Sequence, residues 1–91
     1  MTQQLCMRCS ISGTVQGVFY RASARDQANK YGIRGWAKNL PDGRVEVVAC
    51  GTKEHLDLFF TWLKQGPKQA NVTEASREDL PWMDYEKFLV L

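Results

Sequence analysis

The chain has 91 residues, of which 44% are hydrophobic and 24% are charged, with a formal net charge of +2. This composition is typical of an ordinary globular protein and excludes a fibrous or disordered chain, so we expect a single domain over residues 1–91. The charge is too small to indicate a nucleic-acid partner. No apolar run approaches the roughly 18 residues of a membrane span, and residues 1–4 do not resemble a secretory signal. We therefore expect a cytoplasmic protein with no membrane partner.

Three cysteines are an odd number and too few for a disulfide framework, which predicts reduced thiols. Cys6 and Cys9 have the spacing of a metal or redox pair. However, the alternating pattern around them predicts a strand, in which residues three apart point to opposite faces. His55 is the single histidine of the chain and is expected on the surface. We interpret Cys9 as a small buried apolar residue and assign no role to Cys6.

The first half of the chain predicts a strand, a helix and two further strands. The first strand covers about residues 5–13, and the helix about 20–31, where Ala24, Ala28 and Tyr31 share one face. Strands at about 34–40 and 44–51 flank the turn Pro41-Asp42-Gly43.

The second half predicts one more helix and two strands. Thr52 is a candidate N-cap, and Gly66-Pro67 a helix stop. Four residues between them form an apolar stripe at helical spacing: Leu56, Phe59, Phe60 and Leu63. Residues 70–78 weakly predict a strand, and residues 85–91 predict a short terminal one. The order is that of a ferredoxin-like α+β sandwich, with two helices on one face of a mostly antiparallel sheet of four to five strands.

The loop between the first strand and the first helix is a candidate anion site. Gly13 ends the strand and Gly17 lies before the helix, so consecutive backbone N–H groups can face an anion where the helix dipole favours one.

Arg21 lies in the first helical turn, where a cation opposes the macrodipole at a cost of about 0.3–1 kcal/mol. Helical side chains lean toward the N-terminus, so its guanidinium is expected over the loop, where the planar fork can bind a phosphate through two bonds. The alternative is an ordinary surface arginine beside an ordinary strand–helix turn.

Asn39 lies near the end of the predicted second strand, at the end of the sheet where the first helix begins. Its carboxamide can accept from and donate to one water, and so could hold a nucleophile in line with a bound phosphate. The neighbouring Lys38 could lie near the loop as well. The alternative for Asn39 is a residue that caps the turn at Pro41-Asp42-Gly43.

Two segments resemble the two sequence motifs of the acylphosphatase family. The first runs from Ile11 to Arg21 and contains Gly13-Thr14-Val15-Gln16-Gly17-Val18, and the second runs from Gly35 to Val45, with Gly51 following. The resemblance covers nearly the whole chain. It departs at Tyr20, where the family usually has Phe or Met, which adds a hydroxyl beside the loop. It is weakest over residues 77–85, where the last strand boundaries remain open.

The resemblance implies hydrolysis of the carboxyl–phosphate anhydride of a small acyl phosphate. Arg21 and the backbone loop would bind the phosphate, and Asn39 would hold the attacking water. The loop residues are Val15, Gln16, Gly17, Val18 and Phe19. The resemblance assigns no carboxylate or histidine as a general base, so a substrate phosphate oxygen would take the proton. We expect no cofactor and no metal, competition by phosphate or sulfate, and a monomeric protein.

Two other functional classes fit the same element order. An RNA-binding module would stack bases on aromatic residues of its first and third strands, but residues 44–51 contain no aromatic residue. A phosphate or acyl-phosphate sensor would need the same anion loop without turnover. An assay of phosphate release separates the sensor from the enzyme.

Overall fold

The computed structural model describes residues 3–91, which form two helices and one five-stranded sheet. The elements are β1 (Gln4–Thr14), α1 (Tyr20–Lys30), β2 (Arg34–Asn39), β3 (Val45–Thr52), α2 (Lys53–Gln65), β4 (Asn71–Leu80) and β5 (Phe88–Val90). The strand order is β4-β1-β3-β2-β5. Neighbouring strands are antiparallel except β2 and β5, which are parallel. The architecture confirms the expected ferredoxin-like α+β fold.

The core lies between the sheet and the two helices, as the alternating pattern predicts. Met7, Cys9 and Ile11 of β1 are buried there, and Cys6 is buried on the opposite face of the same strand. Burial raises the pKa of the Cys9 thiol to about 12, so this cysteine behaves as a small apolar residue. Among residues 3–91, no helix is long and apolar enough to cross a membrane.

Helix α2 has the bounds that its local signals predict. The Thr52 side chain accepts a hydrogen bond from the His55 N–H (3.2 Å), and Gly66 ends the helix with a φ of 73°. Leu56, Phe59 and Leu63 are fully buried, and each contributes roughly 1.5–3 kcal/mol by leaving water. The predicted surface position of His55 is confirmed.

Helix α1 contacts the sheet through small residues and one tyrosine. Ala24, Ala28 and Tyr20 are its buried residues. The Tyr20 hydroxyl donates to the Leu63 backbone oxygen (2.6 Å), and burial raises the pKa of this phenol. The expectation that the hydroxyl lies beside the anion loop is therefore wrong. The Tyr20 side chain instead links the start of α1 to the last turns of α2, where its ring contacts the ring of Trp62.

Residues 81–87 connect β4, at one edge of the sheet, to β5 at the other edge, and so cross the face opposite the helices. The Met83 N–H donates to Cys6 Sγ (3.1 Å). Cys6 lies directly opposite Cys50 in the β1–β3 ladder, and the two form a disulfide. The expectation of three reduced thiols is therefore wrong. Spacing along the chain could not reveal this pair, because only the strand register brings the two cysteines together.

Reduction of the Cys6–Cys50 disulfide is expected to lower the free energy of unfolding by about 2–4 kcal/mol. The bond joins residues 44 apart and so restricts a long loop of the unfolded chain. Urea unfolding with and without a thiol reductant measures this change. A Cys6→Ala/Cys50→Ala double variant, the matched control, should no longer respond to the reductant. An unchanged unfolding midpoint in the reduced native protein would contradict the prediction.

Candidate active site

The loop between β1 and α1 has a backbone shape that depends on two glycines and one unusual phenylalanine. A Cβ at Gly13 would overlap the backbone oxygen of Asn71, so β4 approaches here as only glycine allows. Val15 is buried and anchors the loop in the core. Gly17 has a φ of 75° and Phe19 a φ of 62°, which turns the chain into α1. Phe19 is the one non-glycine residue with positive φ among residues 3–91.

The backbone N–H groups of this loop, in residues 15–19, have no acceptor within residues 3–91. The N-terminus of α1 receives no side-chain cap, and its first turn contains no acidic residue. These N–H groups and the positive end of the helix dipole can therefore both act on an anion.

The Gln16 side chain ties the loop to the turn between β2 and β3. Its Nε2 donates to the backbone oxygens of Leu40 (2.8 Å) and Arg44 (2.9 Å). The predicted turn supports this geometry, since the Leu40 N–H donates to the Arg44 oxygen (2.8 Å). The candidate loop and the end of β2 are thus held together by one side chain, for which the local sequence pattern contains no signal.

Arg21 lies in the first turn of α1 and is half-buried. Its Nη1 donates to the backbone oxygen of Leu91, whose N–H in turn donates to the Ala37 oxygen of β2 (2.9 Å). The guanidinium is thereby held at the edge of the sheet where β2 ends. That contact uses one of its five N–H donors, which leaves the others to bind an anion.

Asn39 is the last residue of β2, and its Oδ1 is a buried polar atom without a hydrogen-bond partner in residues 3–91. Such an atom costs about 1–3 kcal/mol unless something donates to it. The turn-capping alternative requires a hydrogen bond from this side chain, and none is present within the same residues. Lys38 does not lie beside the loop, because alternation along β2 places it on the face opposite Asn39. Its Nζ lies 5.8 Å from the centre of the Trp36 ring.

A cavity of about 240 Å³ lies at the candidate loop. It is lined by Val15, Gly17, Phe19, Tyr20, Arg21, Ala22 and Val90. Asn39 is not part of this lining, and neither is Gln16. The Gln16 side chain joins the loop to Leu40, the residue after Asn39. The structure thus brings the loop and Arg21 to one cavity and places Asn39 at the adjoining strand end.

A larger cavity of about 430 Å³ lies against β1, β3 and β4. Its arginines already have partners, since Arg8 pairs with Glu46 (2.8 Å), Arg44 with Asp42 (2.7 Å) and Arg77 with Asp79 (2.7 Å). It contains none of the backbone donors of the loop. Residues 3–91 hold no cluster of three or more His, Cys, Asp or Glu side chains that could bind a metal. The loop cavity is therefore the better candidate site.

The fold and this site define a small ferredoxin-like α+β protein with a loop of unpartnered backbone N–H groups between β1 and α1. A family model described as Acylphosphatase matches residues 7–90. The chain is 58% identical to an acylphosphatase of Legionella pneumophila, with 100% of both chains covered.

Two solved structures are similar over nearly their whole length. The acylphosphatase from Coxiella burnetii has a TM-score of 0.93 at 41% identity, covering 97% of this chain and 93% of that one. The acylphosphatase from Bacillus subtilis has a TM-score of 0.92 at 33% identity, covering 96% and 98%. The chain belongs to the acylphosphatase family, which confirms the resemblance seen in the two motifs.

Proposed function

We propose that the protein hydrolyses acyl phosphates to a carboxylate and inorganic phosphate by direct attack of water on phosphorus. Membership of the acylphosphatase family supports a hydrolase of this class. In the proposed complex the phosphate lies against the backbone N–H groups of residues 15–19 and accepts hydrogen bonds from Arg21. Asn39 holds the water. The donors without protein acceptors in the loop support the phosphate position.

The unpartnered Oδ1 of Asn39 is the observation that carries this mechanism. A water that donates one proton to Oδ1 satisfies the buried oxygen and turns a lone pair toward the phosphate. The Gln16 bridge supports the relative position of water and phosphate, since it joins the loop to the strand end that carries Asn39.

The reaction then needs no nucleophile from the protein. The water oxygen bonds to phosphorus while the bond from phosphorus to the acyl oxygen breaks, and the carboxylate leaves with the bonding electrons. A phosphate oxygen of the substrate takes the water proton. Loop N–H groups and the guanidinium stabilise charge on the phosphoryl oxygens in the transition state, so positioning and electrostatics supply the catalysis.

Purified protein is expected to release phosphate from acetyl phosphate at an undiminished rate in excess EDTA, because the proposed groups are all protein groups. Phosphomonoesters should be poor substrates, since an alkoxide leaves far less readily than a carboxylate. Phosphate release from acetyl phosphate and from a simple phosphomonoester, with and without chelator, measures both effects. A sensor would bind without turnover. Activity that is lost in EDTA and restored by magnesium or zinc would overturn the metal-free mechanism.

Inorganic phosphate and sulfate are expected to inhibit competitively, because the proposed site recognises a tetrahedral anion. At a concentration of 100 Kd either ion should stabilise the folded protein by about 2.7 kcal/mol, which raises the Tm. Inhibition kinetics and thermal unfolding at constant ionic strength check this, with chloride as the control salt. Non-competitive inhibition with no shift in Tm would remove the anion site at residues 15–19.

A further inference from the structure

Phe19 is an apolar side chain in an unusual position. It is 76% exposed, although it lies between the buried Tyr20 and the half-buried Val18. Its left-handed backbone costs roughly 1–2 kcal/mol for a residue other than glycine. Strained backbone at an exposed residue does little for folding, and such positions cluster at ligand-binding sites, which points to contact with a substrate.

A third cavity, of about 290 Å³, is also lined by Phe19. Its lining comes from two parts of the chain, the loop–helix junction and the segment after α2: Val18, Phe19, Ser23, Pro67, Lys68 and Gln69. Phe19 lines both this cavity and the 240 Å³ cavity that contains Arg21. The two cavities are therefore neighbours that share Phe19.

We infer that this 290 Å³ cavity, here called the acyl groove, receives the acyl group of the substrate, and that Phe19 selects apolar and especially aromatic acyl groups. The inference rests on the proposed function, because the phosphate in the loop fixes where the acyl group emerges. Phe19 is the residue that the phosphate cavity and the groove have in common. Val18 and Pro67 give the groove apolar walls, and the methylene stem of Lys68 can add to them.

Contact between the Phe19 ring and an aromatic acyl group should favour that substrate over one with a single methyl group. Ring–ring contact together with the buried area is expected to change the preference about tenfold. The single methyl group of acetyl phosphate offers the groove far less apolar surface than a phenyl ring does. The ratio of kcat/KM for benzoyl phosphate to kcat/KM for acetyl phosphate therefore reports on the groove, and comparison between variants cancels the chemical difference between the leaving groups.

The test measures this ratio in the native protein and in three variants. Phe19→Asn removes the ring, and asparagine tolerates the left-handed backbone. Ser23→Trp fills the groove from α1 without touching the loop backbone. Both should lower the ratio about tenfold. Leu58→Asn, which replaces an exposed leucine of α2, is the matched control and should leave the ratio unchanged.

Each outcome bears on one proposal. An unchanged ratio in both Phe19→Asn and Ser23→Trp, with acyl phosphates still hydrolysed, overturns the acyl groove and leaves the proposed function standing. Failure of the native protein to hydrolyse either substrate overturns the proposed function itself. A native preference for succinyl phosphate over benzoyl phosphate, lost in Lys68→Gln, would show that the groove selects a second anionic group and would overturn the apolar assignment.

Discussion

Arg21→Ala is expected to weaken both substrate binding and turnover, lowering kcat/KM for an acyl phosphate on the order of 10³-fold. The proposed guanidinium contacts exist in the ground state and strengthen as charge develops on the phosphoryl oxygens. KM and the inhibition constant of inorganic phosphate should therefore rise while kcat falls. The folded state loses only an exposed contact to Leu91 and one cation that opposes the α1 dipole, so stability should change by less than about 1 kcal/mol.

Arg21→Lys should recover little of the lost activity, because an ammonium keeps the charge and loses the planar fork. Arg25→Ala is the matched control, since Arg25 is an exposed arginine one turn further along α1 and pairs with Asp26 (3.5 Å). Steady-state kinetics and phosphate inhibition of the three variants measure these effects. Native phosphate affinity in a folded Arg21→Ala protein would exclude the arginine as a phosphate ligand.

Asn39→Ala is expected to lower kcat by about 10²–10³, or about 2.7–4 kcal/mol, and to leave the inhibition constant of phosphate nearly unchanged. The difference from Arg21→Ala arises because the proposed partner of Asn39 is the water and not the anion. Kinetics with acetyl phosphate, together with phosphate inhibition, separate the two roles. Near-native kcat in folded Asn39→Ala would remove the residue from the mechanism.

Stability gives a second, independent prediction for Asn39. Removal of an unpartnered buried oxygen should leave the free energy of unfolding unchanged or raise it slightly, whereas loss of a turn cap would lower it by about 0.5–2 kcal/mol. Urea unfolding of Asn39→Ala distinguishes these results. Lys38→Ala is the neighbouring control, because Lys38 is exposed on the other face of β2, and its kcat should be native.

Local signals predict most of the elements well. Helix α2 is predicted closely, because each of its signals depends on residues no more than four positions apart. These signals are the N-cap, the successive residues of the apolar stripe and the glycine stop. Strand β4 is predicted too short, since the structure extends it to Leu80. It is an edge strand whose side chains are mostly exposed, so it lacks a clear alternation. Its pairing with β1, which places Leu80 opposite Cys6, sets its length.

Some features of the candidate site can also be predicted from the sequence, and others cannot. The glycines of the loop and the misplaced cation at Arg21 are visible in the sequence, because backbone freedom and the helix dipole act locally. The Gln16 bridge, the Leu91 contact and the exposed ring of Phe19 are not visible there. Each depends on how the loop lies against a distant part of the chain, and a single side chain in a loop has no period to reveal its partner.

By itself, the sequence determined the order of elements, the faces of β1 and α2, and the residue types at the candidate phosphate loop. Only the tertiary structure decided that Cys6 pairs with Cys50, that the Tyr20 hydroxyl points to α2, and that the Asn39 oxygen is buried without a partner. The physical reason is the distance along the chain over which each kind of interaction acts. Capping, periodicity and glycine conformation act over a few neighbouring residues, whereas the partner of a side chain across a sheet depends on strand register and helix packing, which join residues tens of positions apart.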